Sequence, residues 1–472
     1  MSLDSFDWLF LILFILSAIS AGVLSRVSIA LSKRDEKRAD ELSESATYVN
    51  QSKNAFILFS FLALIFFIGH YFTVKYHVEA HVLEWLNLII RWAHVVFGIA
   101  WIGASFYFIF LENSLNRTEN LRDELAGNLW AIHGGGFYYV EKFKTAPAAL
   151  PKHLHWFKYE AYFTWLTGML LLTLVYFMNA KAVMIDQSVR DTSPLAAILI
   201  GIFTMFLGWV IYDFLCKTSL LQKKKLFALS GFLIVSAISF FLSKMVSGRA
   251  AFMLVGGLLG TIMAGNVFFC IIPSQKALVA AAKANQPANP ELGKIAGLRS
   301  LHNNYITLPV IFIMISNHFP TTYGSGYNWI VLAVLILASV AVRHFINYYE
   351  KGIYLKWMIP VAAVAIFALV IVTAPKPMKS AKNLPPVAFS QVQPVFQKRC
   401  VSCHSANPID SVNKIAPNGI MFDTPEQIAL HADRILVRAV QTKTMPQANK
   451  TGMSDEERNL IGVWIGQGAK VE

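Results

Sequence analysis

The chain has 472 residues, 55% apolar and only 15% charged, against the roughly 25% charged usual in soluble domains. With a mean hydropathy of +0.49, this composition excludes an ordinary soluble globular protein. The net charge of +13 does not mark a nucleic-acid surface: from Pro385 onward nine Lys/Arg face eight Asp/Glu, so the excess lies in the loops of the apolar part, where it reads as membrane topology.

Ten apolar stretches follow one another at about 7–25, 54–73, 86–111, 160–178, 195–215, 226–243, 250–272, 298–318, 328–346 and 357–374. Each is near the ~20 residues that cross ~30 Å of hydrocarbon. The eighth has the shortest apolar run, with Pro309 inside it. The expectation is an all-α, polytopic transmembrane bundle over residues 1–374. Met1 to Asp7 carries two acids and no base, so the first stretch reads as a retained anchor rather than a cleaved signal. Alternate loops hold Arg117, Arg122, Lys142, Lys144, Lys217, Lys223, Lys224, Lys225 and Lys351, while the opposite loops hold little beyond Lys75, Lys181, Arg190, Lys244 and Arg249. By the positive-inside rule both termini face outward.

The third stretch carries Arg91, His94, Gly98, Trp101, Ser105, Phe108 and Glu112 at spacings of three and four, which place them on one helix face. Ionisable groups on such a stripe avoid lipid. The stripe is therefore a polar packing seam, or it lines a cofactor, with Gly98 leaving room for a flat ring. Before it, His77 and His81 share a face but lack a third ligand, and read as solvated. After it comes His133-Gly134-Gly135-Gly136, either a tight turn or a cradle of backbone N–H groups for an anionic substrate. With no Gly-x-Ser-x-Gly elbow in the chain, an esterase oxyanion hole is rejected.

Gly256 and Gly260 in the seventh stretch read as close helix packing. Cys216 and Cys270 read as inert buried thiols. Arg299, His302, Asn303, Asn304, Tyr305, Asn317 and His318 gather around the eighth stretch. A helix beginning near Leu292 would put His302 at mid-depth, able to face His94; one beginning near Ile306 would leave it at the surface. Residues 375–386, rich in Pro and Lys, read as a linker.

Cys400-Val401-Ser402-Cys403-His404 is the attachment signature of a c-type haem: two thiols for the vinyl groups, and an imidazole for the iron. The region 387–472 suits a small α-helical mono-haem cytochrome c. Ser454 is expected to cap a terminal helix carrying Ile461, Trp464 and Ile465. The soft sixth ligand is expected at Met445, with Met421 and Met453 as alternatives.

Together, RWAHVVFGIAWIGASFYFIFLENSLN, WAIHGGGFYYVEKFK, LRSLHNNYITLPVIFIMISNHFP and the terminal CxxCH region resemble the membrane-bound urate hydroxylases of the PuuD type. That resemblance implies oxidation of urate to 5-hydroxyisourate in purine degradation. Electrons would pass to haem c and on to a soluble or membrane cytochrome c or a terminal oxidase. The expected location is the bacterial inner membrane, embedded in lipid, with the haem domain in the periplasm. The stretch from His94 to Trp101 is also similar to a helix in membrane proteins of the HemJ and CopD type, some of which bind b-type haem. A b-type haem on His94, with His302 as partner, is accordingly an expectation, as are His133, His302 and Glu112 as proton-transfer groups. The alternative is a quinol-to-cytochrome c electron-transfer subunit with no purine substrate.

Overall fold

The computed structural model describes residues 79–118, 120–147, 150–374, 384–410, 413 and 415–471. The stretches expected at 7–25 and 54–73, His77 and most of the linker lie outside these residues. Helix α1 (Glu79–Ser114) is 36 residues long, about 54 Å at 1.5 Å per residue. A hairpin of β1 (Leu125–His133) and β2 (Gly136–Phe143) follows. The bundle continues with α2 (Tyr159–Leu172), short α3 (Ala180–Val183), α4 (Pro194–Leu215), α5 (Lys224–Met245) and α6 (Gly248–Gly265), the last running into α7 (Ile272–Lys283). Then come α8 (Pro290–Ser316), α9 (Pro320–Tyr323), α10 (Asn328–Tyr349) and α11 (Met358–Val372).

Of the eight expected spans that fall on described residues, six form helices long and apolar enough to cross a membrane. The fourth ends in a π-turn at Thr173–Phe177. The other two are α8, long but polar in its first half, and α11, apolar but only 15 residues long. The helix of the eighth span begins at Pro290, close to the Leu292 start and far from the Ile306 one, because Asn289 caps it and Pro290 occupies its first turn. The helix then runs straight through Pro309. Between α6 and α7 a π-turn spans Asn266–Ile271. Pro273, which lacks an N–H for the preceding turn, accounts for that irregularity.

The all-α expectation needs one correction, the β1–β2 hairpin. Its two-residue turn is Gly134-Gly135, with φ of +58° and +81°, the left-handed geometry that a type I′ hairpin turn requires. The His-Gly-Gly-Gly run is thus a tight turn in which His133 pairs with Gly136.

Helix α6 is the centre of the bundle, burying Leu254, Val255, Leu258 and Leu259. Small residues bring its neighbours close. Gly256 meets Ile313 of α8, whereas a side chain at Gly260 would meet nothing within 4 Å. A Cβ on Gly265 would lie 2.7 Å from the Trp209 indole, itself stacked on Phe269 at 5.6 Å. Gly265→Val is expected to cost about 1–3 kcal/mol through overpacking. Thermal unfolding in detergent checks this against Gly260→Val, which should leave the midpoint nearly unchanged.

The C-terminal region contains α12 (Phe389–Arg399), α13 (Pro425–Leu430), α14 (Ala432–Ile435), a π-turn at Leu436–Gln441 and α15 (Asp455–Gly466). Ser454 caps α15 through a reciprocal box with Glu457, satisfying two of the free N–H groups at the helix start. Trp464 packs on Phe389 and Phe396 at 5.7 and 6.0 Å, joining the first and last helices. Arg399 clamps the same pair through a two-pronged bridge to Glu457 at 2.9–3.1 Å. Thr442 abuts Gly324, near the start of α10. At the other end of the bundle, Asn113 donates to Glu350 at 2.8 Å, just beyond the end of α10. Lys142 and Arg117 both pair there with Glu112. The C-terminal region and the hairpin therefore occupy opposite ends of the bundle.

Candidate functional site

In the C-terminal region one cleft gathers Cys400, Cys403, His404 and Met445 on its walls, with Ile420, Phe422 and Ala439 among its apolar lining. Both cysteines are free thiols. Burial, reinforced by Cys403, pushes the Cys400 thiol up to about 12, so it stays protonated at neutral pH. Burial also lowers His404, against the pull of the Ile420 carbonyl, which its Nδ1 meets at 3.0 Å. That contact assigns the Nδ1 proton to the backbone and leaves Nε2 as the ligating nitrogen. Met445 is fixed at both ends of its backbone: its N–H donates to the Arg438 carbonyl at 2.9 Å, and its carbonyl accepts from the buried Arg458 at 2.7 Å. Met453 is buried in the apolar core, and neither it nor Met421 lines the cleft.

In the bundle, His94 on the α1 stripe faces α2. His94 Nδ1 meets the Thr164 carbonyl at 3.0 Å and the Thr167 hydroxyl at 3.1 Å. Gly98 lies opposite Thr164, and Gly168 makes the tight approach to the His94 ring. His302 belongs to other helices. Its Nδ1 meets the Tyr212 hydroxyl at 2.8 Å, and its ring stacks on Phe227 at 5.0 Å. Helix α8 starts early enough to put His302 at mid-depth, as the Leu292 start requires. Each imidazole is held through its Nδ1, His94 by α2 and His302 by α4, the same hold that leaves Nε2 of His404 as the ligating nitrogen. Tyr212 also accepts from Asn266 at 2.9 Å. Asn266 accepts from Arg299 at 3.1 Å, and Arg299 pairs with Asp213 at 2.7 Å.

A second polar group lies on the other side of α8. The Arg343 guanidinium is 1% exposed and sits 4.0 Å over the Phe106 ring. Its Nε donates to Asn304, whose own amide donates to Asn347 at 2.9 Å. Beside it, Tyr305 and His344 share a hydrogen bond of 2.7 Å. The remaining expected groups are spread out. His133 is exposed at the hairpin tip, His318 is exposed beyond α8, and Glu112 is held by two cations at the end of α1. Through Lys142, Glu112 ties the end of α1 to the hairpin.

A family model described as urate oxidase N-terminal matches residues 80–374. The chain belongs to that family. It is a urate oxidase-related protein, which makes urate-related oxidation its coarse activity. No curated protein and no solved structure matches the chain. Both polar networks of the bundle fall inside the urate oxidase N-terminal region, and the CxxCH cleft falls outside it. Sequence reading missed Arg343 and Asn347. The signal was present: an arginine inside an otherwise apolar span is costly and marks a function or a partner.

Proposed function

We propose that the protein oxidises urate to 5-hydroxyisourate within the membrane and delivers the electrons to a haem c carried by its C-terminal region. The observation that carries this reading is the joining of a urate oxidase N-terminal region, over 80–374, to a cleft on which Cys400, Cys403, His404 and Met445 converge. That donor set fits a c-type haem: two thiols for covalent attachment, and an imidazole and a thioether for the iron. When bound, the group takes up one electron at a time and passes it on. The half-reaction balances with water as oxygen donor: urate and H2O give 5-hydroxyisourate, two protons and two electrons. The chain's own groups hold the ends of this path. Ile420 fixes the His404 tautomer, and Arg458 and Arg438 fix the Met445 loop. In the bundle, the Arg299–Asn266–Tyr212 chain orients His302, which this reading uses to relay protons onward rather than to touch the purine.

The basic loops at the hairpin end support entry of the urate anion from the cytoplasm, since clustered positive charge raises local anion concentration. The C-terminal region, at the opposite end, would then lie in the periplasm of a bacterial inner membrane. An anaerobic difference spectrum of the purified full chain tests the proposal. Urate is expected to reduce a c-type haem. Reduction by a quinol but not by urate would replace this reading with that of a quinol-to-cytochrome c subunit.

A further inference from the structure

Arg343 is a cation buried among apolar helices, and among the described residues it makes no ion pair. Its Nη2 has no hydrogen-bond partner, and neither has Asn347 Nδ2, four residues on and one turn away on the same helix. Both orphans are donors. One Asn304 amide ties them together, its oxygen accepting from Arg343 Nε and its nitrogen donating to Asn347 Oδ1. Asn304 is itself fully buried, so the arrangement is braced from α8 and capped by Phe106 from α1. A buried guanidinium with spare donors calls for an acceptor carrying negative charge. Arg343 lies six residues before the end of α10, about 9 Å along the helix axis. Near that end a polar cleft is lined by Glu112, Asn113, Arg117 and Lys351, two cations against one carboxylate.

We propose that Arg343 and Asn347 form the anion-binding pole of the substrate site and hold a monoanionic, carbonyl-rich purine by its oxygen-bearing edge. This rests on the urate reading and deepens it by naming the binding residues. A guanidinium offers parallel N–H groups to such an edge, whereas a lysine would offer only a point charge.

The test is equilibrium binding of radiolabelled urate to the full-length protein in detergent, without turnover. Arg343→Gln is expected to weaken binding by roughly tenfold or more, the scale of a lost charged hydrogen bond, with Arg343→Lys intermediate. Asn347→Asp keeps the side-chain shape and places a carboxylate beside the guanidinium. It is expected to lose urate binding without losing thermal stability. Wild-type affinity in both Arg343→Gln and Asn347→Asp would overturn the proposal while leaving the urate reading intact. Should wild type bind no urate, nitrate provides the second arm. Stabilisation of wild type but not of Arg343→Gln by nitrate would keep the anion pole and sink the urate reading, and equal response of the two proteins would overturn the anion pole as well.

Discussion

Replacing Cys400 and Cys403 together with Ala is expected to abolish covalent haem, read as loss of haem staining after denaturing electrophoresis, and with it all urate-dependent reduction of a c-type spectrum. The size of the effect follows from the chemistry. The thioether bonds are the only covalent hold the cleft offers, and the electrons of urate oxidation would lose their exit. The bundle should be untouched, because Cys400 packs on the C-terminal core and both cysteines line its cleft. Urate binding to the double variant should therefore match wild type. Met445→Leu separates attachment from ligation: haem staining should persist while the reduction potential falls, since a thioether ligand favours the reduced iron. Persistence of both stain and potential in Met445→Leu would remove Met445 as the sixth ligand.

Much of the architecture was legible because its physics is local. Runs of about 20 apolar residues cannot do much else than cross a membrane or fill a core, and the helices on described residues follow the expected stretches closely. Ser454 and Glu457 announce the start of α15 through a spacing that satisfies free backbone donors. The CxxCH run and Met445, singled out in the sequence, line one cleft. What stayed hidden depended on choices between local and distant partners. The hairpin lies in a loop whose aromatic residues obscure the alternation of Trp130, Ile132, Phe137 and Tyr139 on one face, and only the register shows it. The start of α8, open in the sequence between Leu292 and Ile306, is settled near the earlier position by the Asn289–Pro290 cap. The partners of His94 and His302 depend on helix rotation, which periodicity does not set between helices: Nδ1 of one meets α2 and Nδ1 of the other meets α4.

The buried pair of Arg299 and Asp213 carries the second large expected effect. The Arg299 side chain is 7% exposed and that of Asp213 20%, so removing the acid strands a guanidinium away from water. Asp213→Asn is expected to destabilise by about 3 kcal/mol, the lower end for breaking a buried pair because Asp213 keeps some solvent. Denaturant or thermal unfolding in detergent reads it directly. Lys217, which also pairs with Asp213 at 2.6 Å, is exposed and does not add to that cost. Replacing both partners, Arg299→Leu with Asp213→Leu, removes the stranded charge and should recover most of the loss, since a well-packed apolar pair substitutes for a buried ion pair. Function should not recover with it. Arg299 holds Asn266, Asn266 holds Tyr212, and Tyr212 holds the His302 ring. A stable double variant that still turns over urate at the wild-type rate would mean that this chain of hydrogen bonds only braces the bundle. A stable but inactive one would place His302 and its supports in proton transfer.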